Sequence, residues 1–170
     1  MGANNTKGTM IYTDLRTERM LAVLDQVSAQ TNSTQQTIEK DWWVTQVLRV
    51  LFSLPYAEHL SFKGGTSLSK AWNIIERFSE DIDIAISREY LGFVGELSRT
   101  QVSDKLRRAA CSFVREKMQY DVREAMIAQG IKEESFSVRV QITSVSTTDP
   151  ETIEIEYKSA LPENSYIRHC

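Results

Sequence analysis

Between Asp81 and Ser87 the chain reads DIDIAIS, and no other stretch restricts the fold as tightly. Strict alternation has a period of two, which is the period of a strand and of no helix. Ile82, Ile84 and Ile86 then share one face, and Asp81 and Asp83 share the other. The isoleucines require an apolar partner behind the strand. The two carboxylates, about 7 Å apart at their Cβ atoms, repel each other unless water screens them or a cation sits between them. One reading is the wet acidic face of an edge strand. The other is a divalent-cation site, because Mg²⁺ takes one or two protein carboxylates, keeps waters and reaches substrate phosphates. Such a pair can hold two metal ions about 3.5–4 Å apart for in-line attack on phosphorus.

What precedes this strand matters as much. HLSF (59–62) reads as a short buried strand, and Gly64-Gly65 ends it. Thr66 or Ser67 then caps a helix to about Phe78, with Leu68, Trp72 and Ile75 inward. Glycines let a ligand approach the backbone, and a helix N-terminus offers unpaired N–H groups that suit phosphate. Thr66 and Ser67 add hydroxyl donors, and Lys63 or Lys70 adds charge. A strand-to-helix turn that merely needs glycine and a cap would look the same. It is not a Walker loop, since no G-x-x-x-x-G-K-[ST] occurs. The order strand, Gly-Gly turn, helix, acidic strand brings the turn and the carboxylates to one end of neighbouring elements. A triphosphate on the turn would have its metal-binding oxygens near Asp81 and Asp83.

The remaining pattern frames that unit. Thr13 to about Gln30 is helical, with Leu15, Leu21, Leu24 and Val27 on one stripe. Asn32 and Ser33 break it, and Ser33 with Gln36 suggests a capping box for a second helix to about Ser53, before Pro55. Residues 100–129 form a long helical pattern stopped by Gly130. Its Val102, Leu106, Ala109 and Phe113 face inward, opposite Lys105, Arg108, Ser112 and Arg115, with Arg107 and Lys117 nearby. That basic run is either a phosphate-tracking stripe for RNA or a solvated face. FSVRVQIT (136–143) and TIEIEY (152–157) alternate around turn-forming STTDPE and predict an antiparallel hairpin.

Composition excludes several chemistries. The 170 residues suit one compact domain or one with a helical appendage. Two cysteines make neither a disulfide framework nor a zinc set, and two histidines supply a His-based metal centre or a Ser/His/Asp triad poorly. A net charge of −3 gives no global signature of nucleic-acid binding, so contact with a polyanion would depend on local patches or metal. No apolar run reaches the roughly 20 residues of a membrane span, and the polar N-terminus lacks a signal-peptide core. The expectation is a cytoplasmic protein without membrane contact.

GGTSLSKAWNIIERFSEDIDIAI resembles the signature of the AbiEii/AbiGii toxin family of nucleotidyltransferases, within the DNA polymerase β-like superfamily. The mark of that superfamily is a Gly-Gly or Gly-Ser turn followed by D-x-D. EKDWWVTQVLRVLF (39–52) is also similar to a helix of that family, so the match covers about residues 37–90 well and the rest in outline. The resemblance implies an α/β (α+β) fold: a small mixed sheet flanked by helices, with an N-terminal helical pair. It divides the chain into a helical segment, 1–57, packed on a nucleotidyltransferase-like core, 58–170. It implies a metal-dependent enzyme, using Mg²⁺ or Mn²⁺, that transfers a nucleotidyl group from an NTP to RNA such as a tRNA end and is restrained by a cognate antitoxin. Gly64, Gly65, Thr66 and Ser67 match the phosphate turn, with Lys70 in the same run, and Asp81 and Asp83 match the metal ligands. Glu39, Lys40 and Asp41 match the upstream helix motif, as a wall of the site or as helix-packing links.

Two departures bear on activity. Fifteen residues separate Gly65 from Asp81, more than is usual in the superfamily though normal for the AbiEii family that the motif resembles. The third carboxylate expected on a later strand has candidates in Glu154 and Glu156, of which Glu156 is preferred as catalytic; the wet face of a hairpin is the other reading. The family continues with a further acid-bearing strand and a helical C-terminal region, so the chain reads as cut short. The competing function is therefore a truncated, inactive nucleotide- or partner-binding module. A sugar-nucleotide D-x-D site is a third reading, disfavoured because the chain is short for that fold. Trp42, Trp43 and Trp72 are assigned to the core rather than to base stacking.

Overall fold

In the computed structural model, residues 12–64, 81–141 and 151–162 are described. A single 3₁₀ turn, Tyr12–Asp14, precedes helix α1 (Thr17–Thr31). The expected start at Thr13 is thus split, with the helix proper beginning after Arg16 in extended conformation. α1 ends at Asn32, whose φ of 54° is left-handed and whose N–H donates to the Ser28 carbonyl at 3.0 Å.

Helix α2 (Gln35–Leu51) is capped by Thr34, not by Ser33. Thr34 Oγ1 accepts from the Thr37 N–H at 3.2 Å, while the Ser33 carbonyl accepts from Ser28 Oγ at 2.7 Å. The left-handed turn at Asn32 carries Ser33 into the connection and leaves Thr34, with ψ of 152°, as the residue just outside the helix. A Thr34→Ala chain is expected to lose about 1 kcal/mol of stability, read as a lowered urea midpoint with an unchanged slope; an unmoved midpoint would contradict the cap.

α2 is buried on most of its circumference. Trp43, Val44, Val47, Val50 and Leu51 are buried, and so are Glu39, Lys40 and Gln46. Most of these apolar residues join Leu54, Tyr56, Leu60, Met118, Val122, Met126 and Ile131 in one core cluster.

Strands β1 (Leu60–Lys63) and β2 (Asp83–Ile86) pair antiparallel, with Leu60 opposite Ile86, Phe62 opposite Ile84 and Lys63 opposite Asp83. Ile82, Ile84 and Ile86 pack on the core cluster, as the alternation of DIDIAIS requires.

The long helical pattern is realised as one path with helical dihedrals at each junction. A π-helical stretch, Gln101–Leu106, leads into α3 (Arg107–Phe113), and a second, Val114–Met118, into α4 (Gln119–Ala128). It stops where expected. Gly130, at φ 91°, donates to the Ile127 carbonyl at 2.9 Å, and Ile131 donates to that of Met126 at 3.1 Å while burying its side chain. That pairing is a Schellman termination. At the other end Val102 departs from the reading: it is 48% exposed. The π-helical stretch that carries it rotates side chains away from a 3.6-residue period, so the inward stripe becomes buried only from Cys111 onward.

β3 (Phe136–Gln141) and β4 (Thr152–Tyr157) pair antiparallel, Phe136 opposite Tyr157 and Val138 opposite Ile155. The α+β architecture is as expected. Among the described residues, however, the strands make two separate two-stranded antiparallel sheets rather than one mixed sheet. Each ladder buries its apolar face against the same helical core, so neither needs the other to complete it.

Candidate active site

β1 ends at Lys63, and the next residue turns. Gly64 has φ of 71°, a conformation that side chains disfavour. Space is the second reason for glycine here. A Cβ placed on Gly64 would lie 1.8 Å from Asp83 Oδ2 and 2.8 Å from Asp83 Cγ. The Asp83 carboxylate therefore rests directly on the Gly64 backbone, at the end of the ladder where Lys63 faces Asp83. The glycine turn and the acidic strand meet at the same edge.

Asp81 lies two residues before Asp83, just ahead of β2, and both are exposed while Ile82 between them turns to the core. Gly65, Thr66, Ser67 and Lys70, with Leu68, Trp72 and Ile75, lie outside the described residues. Two exposed carboxylates, one laid over a residue without a side chain, suit a hard cation that takes one or two protein carboxylates and fills its shell with water and phosphate oxygens.

The outer face of the second sheet is differently engaged. Arg139 stands opposite Glu154 and reaches diagonally to Glu156, with Nη2 3.3 Å from Oε2. Ser137 Oγ donates to the same Glu156 oxygen at 3.3 Å. Among the described residues, no three His, Cys, Asp or Glu side chains gather into a group that could hold a metal ion. Asp81 and Asp83 thus stand as a pair, without Glu154 or Glu156 completing a triad.

The EKD motif of α2 has a role the sequence did not disclose. Glu39 is 1% exposed, and its carboxylate joins the two ends of the described chain. Oε1 accepts from the Tyr12 hydroxyl at 3.1 Å and from the Ala160 N–H at 2.9 Å, and Oε2 accepts from Ser159 Oγ at 2.5 Å. Burial, and then the charge of Glu39, push the Tyr12 hydroxyl well above its ordinary pKa. Aromatic rings continue the clasp: Tyr12 packs on Trp42 at 5.2 Å, Trp42 on Trp43 at 5.0 Å, and Trp43 stacks on Tyr157 at 4.8 Å. Trp43 is buried and Trp42 packs on the core, as assigned from sequence; Trp72 lies outside the described residues. No local signal in EKDWW points to partners about 120 positions away.

The basic run of the long helix is divided. Arg115 pairs with Glu151 at 2.9 Å, and Lys117 with Asp121 at 2.7 Å. Lys117 also lies 5.2 Å from the centre of the buried Tyr56 ring. Lys105 and Arg108 are exposed. Arg115 and Lys117 are therefore engaged within the protein, which a charge count along the sequence does not reveal.

Comparison with known families gives a match over most of the chain. Residues 46–167 fit the model of a family described as nucleotidyl transferase AbiEii toxin, type IV TA system. That span contains Gly64, Asp81, Asp83 and Glu156 and begins after Glu39. No curated protein and no solved structure matches.

Proposed function

The chain belongs to the AbiEii family of nucleotidyl transferase toxins of type IV toxin–antitoxin systems, and from that premise we propose that it transfers a nucleotidyl group from an NTP to an RNA acceptor, namely tRNA. In this reading Asp81 and Asp83 hold Mg²⁺ or Mn²⁺, and an antitoxin restrains the activity. The observation that carries it is the Asp83 carboxylate lying against Gly64. A phosphate cradle and a metal-ligating pair are useful to each other only within a few ångströms, and this contact supports that arrangement.

A bound divalent cation would neutralise charge on the phosphates undergoing in-line displacement. The protein's own contributions follow from its shape. Ile82, Ile84 and Ile86 anchor β2 to the core and keep Asp83 on the open face. Gly64, having no side chain, leaves room on its backbone for the Asp83 carboxylate, and so holds that carboxylate at the edge where the glycine turn begins. In this reading Gly65, Thr66, Ser67 and Lys70, which lie outside the described residues, contribute N–H, hydroxyl and ammonium donors to the triphosphate. The reaction then needs chiefly positioning and charge neutralisation. A cytoplasmic setting accompanies this reading; among the described residues no helix is long and apolar enough to cross a membrane.

A second reading, a nucleotide- or partner-binding module without turnover, draws on the engagement of Glu156 with Arg139 and Ser137 and on the two-member acidic set. One assay separates them. The protein is incubated with Mg²⁺, each labelled NTP in turn, and total tRNA, beside an Asp81→Asn/Asp83→Asn chain. Label on RNA that requires both aspartates supports transfer. Binding of NTP without label from any nucleotide selects the nucleotide-binding module, and neither binding nor label rejects both transfer and nucleotide binding.

A further inference from the structure

Lys63 faces Asp83 directly across the β1–β2 ladder, and both side chains are exposed. Directly opposed residues in an antiparallel pair share a face, with Cβ atoms about 4.5–5.5 Å apart. A lysine and an aspartate so placed normally approach each other. Among the described residues, however, no ion pair joins them. The Asp83 carboxylate is turned instead onto Gly64, the residue that follows Lys63. Lys63 thus shares the Asp83 face of the ladder without being committed to that carboxylate.

We propose that Lys63 is a substrate-binding residue whose ammonium receives the triphosphate of the incoming nucleotide at the Asp83 edge of the ladder. The inference rests on the nucleotidyltransferase reading and gives Lys63, which the sequence offered beside Lys70 only as added charge, a stated place and ligand. Its physics has a distinctive sign. Asp81, Asp83 and Lys63 together carry one net negative charge, which a divalent cation converts to one net positive charge facing the nucleotide. Without Lys63 the charges of the two aspartates and the cation alone would sum to zero. The lysine therefore disfavours the metal ion alone and favours the polyanion.

The test measures both ligands on the full chain. In a Lys63→Met chain, Mn²⁺ affinity without nucleotide is expected to rise about threefold, since a nearby like charge is removed. Affinity for inorganic triphosphate in Mg²⁺ is expected to fall about tenfold, as is usual for a lost charge-assisted contact. In the RNA-labelling assay KM for NTP should rise by a similar factor, with kcat changed less than about threefold. Lys63→Arg should return both affinities to near the original, and raised salt should shrink both shifts.

A structural role alone would lower both affinities together or neither, and either result overturns the inference. Circular dichroism guards against misfolding; if Lys63→Met does not fold, Lys63→Gln carries the same comparison. If the unaltered chain binds triphosphate in an Asp83-dependent way but is indifferent to position 63, only the role of Lys63 fails. If the unaltered chain binds no triphosphate, the nucleotidyltransferase reading fails with it.

Discussion

A Gly64→Ala chain is expected to lose nucleotidyl transfer by about a thousandfold while remaining folded. Two penalties meet at this position. The backbone at φ 71° costs an L-residue about 1–2 kcal/mol. The added methyl would also stand 1.8 Å from Asp83 Oδ2 and 2.8 Å from Cγ, closer than carbon contacts come, and a tight 3.1 Å from Cβ. The backbone cannot simply retreat, because Lys63 and Asp83 are opposed in the ladder and Phe62 and Ile84 follow them. The carboxylate must swing away or the ladder must open. A displacement of about 1 Å in a catalytic group costs about a hundredfold, and withdrawing an electrostatic contribution from the reacting phosphate costs a further factor of about ten or more. The measurement is the initial rate of label transfer to RNA, with circular dichroism as the folding control. A folded Gly64→Ala chain within about tenfold of the original rate would mean that the Gly64–Asp83 contact is not where the chemistry occurs.

The largest loss of stability is expected at Glu39, far from that edge. Removing its carboxylate in Glu39→Ala leaves Ser159 Oγ, the Ala160 N–H and the Tyr12 hydroxyl without their acceptor and opens space beside Trp43 in the helix. An orphaned buried donor costs about 1–3 kcal/mol; Tyr12 and Ala160 are half-buried and Ser159 is exposed, so water offsets part of this and a total of about 3 kcal/mol is expected. Glu39→Gln keeps one carbonyl acceptor and should lose about half as much. Denaturant unfolding measures the energy. A second readout locates it: Lys158 immediately precedes the strap that Glu39 holds, so tryptic cleavage after Lys158 should accelerate in Glu39→Ala before global unfolding does. Equal stability and equal cleavage in the two chains would show that Glu39 is not the clasp.

Much of the local structure was open to reading from the sequence because its signals are local. The isoleucine alternation of DIDIAIS places β2 and its buried face without reference to any partner, and the observed core contacts of Ile82, Ile84 and Ile86 agree. Gly130 ends its helix for reasons contained within the six residues 126–131. The hairpin of β3 and β4 follows from two alternating segments separated by turn chemistry. The glycine turn and the two aspartates were visible as letters, and so was the family resemblance they carry.

Other features depended on where distant segments come to rest. The cap of α2 fell to Thr34 because a left-handed residue upstream displaced Ser33. Val102 faces solvent because the helix around it departs from the regular period. Glu39 is an ordinary charged letter until residues about 120 positions later close over it and supply its donors. The contact between Gly64 and Asp83 is of the same kind. Sequence alone determined that a bare turn and a carboxylate pair exist on adjoining elements. Only the tertiary register, set by antiparallel pairing over a shared apolar core, decided that one carboxylate lies against the bare backbone and that a lysine stands beside it. Periodicity reports which face of an element is buried; it holds no information about what is brought to the other face.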